Sequence, residues 1–409
     1  MRDVWNRIEF SWRHPQRESL LNELKDYTER LLRLSIAANG AKPYERKQQT
    51  RKAHATFELR DDAEKLYKLM CKACSCQPLR QREVGLGLAV HHQDGVTRSD
   101  LCFQLLLFDS NDSVRSMFVK MVKPSEPCQP AKKKVRFSIS TSHGNPCDKM
   151  KKLQDVCKES QLAQKSKAHL QLVVDEKGEV YTTQRGRLNT SPETDSVQSL
   201  CEVMSNLQLY DHKRWLHREK AILAVILAYS LLQLHESSWW QSLWNSRSIS
   251  FLSLNFPNLT TCRSPDQRIK LRRPFTRSMV EAGLSPSPPP SPSQPTRKNA
   301  HLHALGIVLL ELYLNRSIKD DVDAQGGSDY RGVAHDLLEE HSDDINMTAE
   351  YARAVRFCLS PHPNPYSGSF SFEDKGFREI FYSEVISMLE DNLKSRFEVN
   401  DSTWVDDDD

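Results

Sequence analysis

No window of this chain approaches the length of a transmembrane helix. The most apolar stretch, Ala221–Leu234, is interrupted by Ser230 and Gln233 and closely flanked by charge, whereas a span needs about 20 mostly apolar residues. Met1–Trp12 lacks an apolar core after a basic start, so no secretory signal is read there. Disulfide-framework spacing is absent too. The 10 cysteines are scattered over 409 residues and, with nothing pointing to secretion, read as reduced thiols. Apolar residues make up only 38% of the chain, which argues for sizeable segments outside any core. Neither sign of charge dominates: 57 basic against 54 acidic residues leave a net +3, so only local clusters bear on nucleic acid. No internal repeat is present. The expectation is an intracellular, cytoplasmic protein of two domains, or one domain with extensions.

What is present is organised around Arg218–His235, REKAILAVILAYSLLQLH. A helix apolar on nearly every side belongs in the middle of a domain. A second such stretch is Ala300–Ile318, AHLHALGIVLLELYLNRSI. These are read as the two core helices of one α-rich lobe over residues 196–397. That lobe also holds a short amphipathic helix at Ser196–Met204, a strand at Ile249–Leu254 and helices at Tyr330–Glu340, Thr348–Cys358 and Phe377–Phe397. Trp239, Trp240 and Trp244 follow the first core helix and are read as core or interface packing, since large aromatics contribute most when buried. Asp320–Asp329 reads as an acidic loop. Leu284–Pro295, LSPSPPPSPSQP, reads as a mobile polyproline insertion with Ser-Pro sites at Ser285, Ser287 and Ser291.

Upstream, the spacing predicts an amphipathic helical segment over residues 1–40, with Leu20, Leu24, Tyr27, Leu31 and Leu34 on one stripe and Asn39-Gly40 as its stop. Residues 41–62 read as a linker. Residues 63–195 read as a small β-rich lobe: a helix at Ala63–Cys74, strands at Val84–His92, Leu101–Asp109 and Val135–Ile139, and a hairpin of Leu170–Asp175 with Glu179–Thr183. Residues 398–409 are an acidic tail.

The Leu234-His235 pair at the end of the first core helix resembles the helix that precedes the catalytic loop of protein kinases. Ala304-Leu305-Gly306-Ile307-Val308-Leu309-Leu310-Glu311-Leu312 looks like the central kinase helix. The combination also resembles a family of uncharacterised fungal proteins in which a kinase-like domain follows a helical region related to HeLo and prion-inhibition-and-propagation domains. The resemblance covers roughly Ala63 to Phe397. It implies an α+β, protein-kinase-like fold with a degenerate small β-rich lobe, an α-helical C-lobe and a preceding helical segment. It further implies that the chain begins near the end of a larger helical domain.

Phosphoryl transfer needs a lysine on the phosphates, a carboxylate on magnesium and a catalytic-loop aspartate. Trp240–Asn245 occupies the loop position without any carboxylate. Asn245 is at most a metal-side amide, Lys120 the candidate phosphate lysine and Asp266 the nearest downstream acid, set among arginines. No Gly-rich phosphate loop lies between residues 80 and 120. His301 and His303 stand where the central kinase helix usually carries a bracing aspartate.

Other constellations keep alternatives open. Cys71, Cys74 and Cys76, with His91 and His92, have zinc-ligand chemistry, or are simply free thiols. Lys134-Val135-Arg136-Phe137 resembles a docking motif read by type-one phosphatases, with Lys134, Val135 and Phe137 as contacts; it also reads as an ordinary half-buried strand. Lys132–Lys134 can serve as a nuclear-import signal. The expectation is a catalytically inactive, kinase-like signalling or scaffolding module of fungal self/non-self recognition, without cofactor. Its protein partners would be met through the N-terminal helix and the Pro-rich segment. The alternatives are an atypical, weakly active kinase and a nucleic-acid-associated regulator using Lys132–Lys134, Lys149–Lys152 and Arg268–Arg273.

Overall fold

In the computed structural model the described residues are 59–74, 82–88, 102–108, 114–121, 151–166, 168–175, 179–187, 196–207, 213–240, 244–253, 274–280, 300–324, 329–342, 344, 347–361 and 370–397. All fall within one compact unit, Ala53–Asp409. The expected helix over residues 1–40, the Val135–Ile139 strand, the Leu284–Pro295 insertion and the 398–409 tail lie outside them.

Helix α1 spans Leu59–Ala73. Leu59, Ala63, Leu66, Tyr67 and Met70 recur at helical spacing and are all buried. Asp61 and Asp62 in the first turn and Lys72 in the last complement the helix dipole. The helix therefore begins inside the stretch 41–62 expected to be linker. Leu59, one helical turn before Ala63, extends the apolar stripe and brings that turn into the fold.

Strands β1 (Arg82–Gly87), β2 (Cys102–Phe108) and β3 (Val114–Met121) form an antiparallel meander. After β4 (Lys151–Lys152), helix α2 (Val156–Lys165) leads to β5 (Ala168–Val174), which lies parallel to β3. Asp155 caps α2 by accepting from the Cys157 and Lys158 amides. Arg115, buried on β3, donates to the Cys157 carbonyl and to Ser160 Oγ, and so ties the crossover helix to the sheet. Strand β6 (Val180–Arg187) pairs antiparallel with β5, as the expected hairpin requires.

Next come β7 (Ser196–Ser199), α3 (Leu200–Leu207), α4 (Lys213–Leu234), β8 (Ile249–Ser253) and β9 (Phe275–Val280). The helix expected at Ser196–Met204 is half strand. Ser199 and Glu202 close a capping box: the Glu202 amide donates to Ser199 Oγ at 3.3 Å, and the Glu202 carboxylate accepts from the Ser199 amide at 2.7 Å. Donation to the Glu202 carboxylate from the Ser199 amide, and from its hydroxyl at 2.9 Å, holds that carboxyl below its ordinary range, and the box starts the helix at Leu200.

Among the described residues the sheet has 9 strands in the order β4-β6-β5-β3-β2-β1-β9-β8-β7, and the fold is α+β. The sheet also draws on the stretch expected to be a helical lobe: β8 falls on the strand expected at Ile249–Leu254, β7 and β9 were not expected, and β9 joins them to β1 through the register Arg82–Gly87 against Phe275–Val280. Phe275, Thr276 and Ser278 are buried, as suits a strand with neighbours on both sides.

Helix α5 spans Ala300–Leu314, α6 Lys319–Ala324, α7 Tyr330–Glu340 and α8 Ala349–Leu359. α6 occupies the start of the expected Asp320–Asp329 loop; Val322, fully buried, gives that acidic stretch an anchor. α4 and α5 pack together, and every residue from Ala221 to Leu234 is buried. Gly306 lets α8 approach α5: a Cβ there would sit 2.9 Å from Cys358 Cβ and 3.0 Å from Leu359 Cδ2. Tyr351 of α8 donates to the Leu309 carbonyl at 2.8 Å.

The final segment is α9 (Lys375–Phe381), a π-helical turn (Tyr382–Ile386) and α10 (Ser387–Phe397), where one continuous helix was expected from Phe377. At that turn the Tyr382 and Tyr229 hydroxyls lie 3.1 Å apart, and Tyr229 donates to Glu390 Oε1 at 2.7 Å. This buried polar contact joins α4 to α10 beside the widened turn. Among the described residues, no helix is long and apolar enough to cross a membrane.

Candidate functional site

The last turn of α4 delivers Leu234 and His235 to the base of the helical layer. His235 is buried, its Nδ1 3.3 Å from the Leu232 carbonyl and its ring centroid 4.7 Å from that of Phe372. Burial first, then the Arg60 guanidinium, pushes its pKa down to about 3, so the imidazole is neutral. Glu236 follows at φ 55°, the left-handed conformation that ends helices.

Glu236, Glu373 and His235 place their ligand-type atoms within 4.8 Å of one another. Arg60 of α1 pairs with both carboxylates, at 3.9 Å for Glu236. Burial and the neighbouring Glu373 raise the Glu236 carboxyl, against the pull of Arg60. The arrangement is an ion-pair clamp between α1, the end of α4 and the approach to α9.

Beyond Glu236 the chain is fastened to α1. Ser238 donates to Glu64 through its amide (2.8 Å) and hydroxyl (2.9 Å). The Trp239 indole donates to the Ala63 carbonyl at 2.7 Å and meets the Tyr67 ring edge-on at 5.3 Å. Trp240 and Trp244 are buried and stacked, with centroids 4.0 Å apart. Trp240 also contacts His301, at the start of α5, edge-on at 5.2 Å. Burial lowers the His301 pKa, which suits a neutral ring packed among indoles. Two positions singled out in the sequence, the loop after Leu234-His235 and the start of the second core helix, thus meet through aromatic packing.

The remaining candidates scatter. Asn245 Oδ1 accepts from the Arg247 amide (2.9 Å) and the Ser248 amide (3.0 Å), so its side chain closes an Asx turn before β8. Lys120 lies half-buried on β3, in register with Cys102 and Val173. β3 and β8 stand four strand spacings apart in the sheet, each about 4.8 Å, so the fold does not bring Lys120 and Asn245 together. Cys71 and Cys74 are free thiols buried in the apolar core beside Met70. Asp266, Cys76, His91, His92, Lys134, Val135 and Phe137 lie outside the described residues. Glu311 of the helix motif is buried, and its Oε1 accepts from Ser317 Oγ (2.9 Å) and the Ile318 amide (3.0 Å), holding the turn after α5. Sequence reading missed the Arg60 clamp and the Glu64 bonds, whose partners are remote along the chain.

A family model described as a domain of unknown function (DUF7580) matches residues 54–396, from just before α1 to the end of α10. The chain belongs to the DUF7580 family. No curated protein matches it. In this DUF7580 chain the matched span takes in both the sheet and the helical layer, in keeping with their shared core.

Proposed function

We propose that this DUF7580 protein is a kinase-like signalling or scaffolding module that does not transfer phosphate. The reading rests on one observation above all. In the segment after Leu234-His235, where a kinase holds its catalytic aspartate, Trp240 and Trp244 are buried against each other, and Trp240 also against His301. Indoles neither accept a proton from a substrate hydroxyl nor hold magnesium. The Asn245 amide, the nearest substitute, is engaged in its own turn. What the segment does instead is fasten α1, β9 and α5 into one unit, the work of a rigid platform. In β9, Ser278 Oγ donates to the Trp239 carbonyl at 2.5 Å. The expected partners are proteins, met through the N-terminal apolar stripe at Leu20–Leu34 and the Pro-rich Leu284–Pro295.

The test is incubation with radiolabelled ATP and magnesium or manganese, with a general acceptor protein present. No incorporation above a heat-denatured control is expected. Time-dependent incorporation that Asp266→Ala abolishes would replace this reading with that of an atypical kinase.

A further inference from the structure

Lys220 lies on α4 fifteen residues before His235, about 22 Å away along the helix at 1.5 Å per residue. It lines a small cleft between α4, the end of α5, the start of α8 and the end of α10, which encloses about 40 Å³. One water-sized body needs about 10–15 Å³ of such space, so the cleft takes a monatomic ion or a few waters and no organic ligand.

Two donors in that lining are left over. Lys220 is only 7% exposed, and among the described residues its ammonium has no carboxylate partner and no hydrogen-bond acceptor. Asn392 is 4% exposed, and its Oδ1 accepts from Thr348 Oγ1 at 2.8 Å. Its amide NH2 is thus the donating end, with no partner among the described residues. The Tyr351 and Tyr313 hydroxyl protons are committed elsewhere, to the Leu309 carbonyl and to Asp344. No Asp or Glu lines the cleft. Water satisfies donors but brings no counter-charge, and a buried charge without one is costly. Burial alone pushes this ammonium down to about 8. Ala221 and Leu312, both buried, give the cleft an apolar wall, beside which a direct ion contact is stronger than in water.

We propose that this cleft binds one monatomic anion, chloride, between the Lys220 ammonium and the Asn392 amide. The ion joins α4 to α10 and supplies the counter-charge that the fold withholds from Lys220. The site is separate from the aromatic segment and does not depend on the function proposed for it.

Thermal unfolding of the full chain at pH 7, in sodium chloride and in sodium gluconate of equal ionic strength, tests the proposal. Gluconate is too large for the cleft. The wild-type midpoint is expected to rise saturably as chloride replaces gluconate, because an ion that binds only the folded state stabilises it. Lys220→Met, which removes the charge and keeps the length of the side chain, is expected to lose that rise. A readout on the unaltered protein stands beside it. Under limiting acetylating reagent, chloride is expected to slow the acetylation of Lys220 severalfold relative to gluconate, since the bound anion favours the unreactive ammonium. Lys158, whose side chain is 81% exposed, is expected to react equally in both salts. An equal response of the two proteins to chloride, no response of the wild type, or acetylation of Lys220 that chloride leaves unchanged would mean that the cleft holds water only and would overturn the proposal.

Discussion

Trp240 stacks on Trp244 with 28° between the ring planes, and both indoles are buried. Each indole is part of the core, so truncating it removes buried apolar volume. Trp244→Ala is therefore expected to lower unfolding free energy by about 3–5 kcal/mol, the range for a buried aromatic cut to a methyl. The double variant Trp240→Ala/Trp244→Ala should lose less than the sum of the singles by roughly 0.5–1.5 kcal/mol, because the stacking contact is removed only once. Urea unfolding monitored by far-UV circular dichroism measures both. Strict additivity would mean that the rings do not share an interaction.

Gly306 offers a change whose sign is diagnostic. Glycine to alanine inside a helix ordinarily gains about 1 kcal/mol. At 306 the new methyl meets Cys358 Cβ at 2.9 Å, so α5 and α8 must part. Gly306→Ala is expected to be net destabilising by about 1–3 kcal/mol, seen as a lower thermal midpoint. A raised midpoint would mean that the two helices are not in close contact.

Lys220 gives the protein a pH signature. Its folded pKa is about 8 against an ordinary 10.5. Between those values the unfolded chain binds more protons than the folded one, so stability rises with pH through that window. Below pH 8 the buried ammonium lowers stability by roughly 3 kcal/mol. His217, Arg396, Tyr313 and Tyr351 line the same cleft as Lys220; burial raises both tyrosines, Tyr313 to about 12, and their unfolded titration near 10 lowers stability at the top of the window, but equally in wild type and in Lys220→Met, so it cancels in the comparison. Lys220→Met should therefore be more stable than wild type at pH 7, and the gap should close by pH 10.5. Urea midpoints of the two proteins across this range check it; a gap that does not depend on pH would contradict the assignment.

The helical layer was largely legible in the sequence. Ala221–Leu234 and the segment around Leu305–Leu312 are apolar on nearly every face, a pattern only a central helix satisfies, and α7 runs over Tyr330–Glu340 as its spacing predicts. The sheet was read in part. β3 was missed because Arg115 occupies an inward position and breaks the apolar alternation; its partners on α2 lie more than forty residues on. β9 was hidden behind the basic run Arg263–Arg273, and β7 merged with the helix that Ser199 and Glu202 start. The site was less legible still. The Trp cluster was visible as composition, but its contact with His301 joins the end of one core helix to the start of the other, a relation that local pattern does not encode. Lys220 looked like the charged flank of an apolar helix; only the packing of α5, α8 and α10 around it encloses it.

The central claim is that the aromatic segment after α4 serves packing and leaves no working nucleotide site. Isothermal titration calorimetry of the full chain with magnesium-ATP, repeated in EDTA, tests it most directly. The expected result is no saturable magnesium-dependent heat up to millimolar nucleotide. A magnesium-dependent isotherm that Lys120→Met or Asp266→Ala abolishes, and Lys220→Met leaves unchanged, would contradict the account.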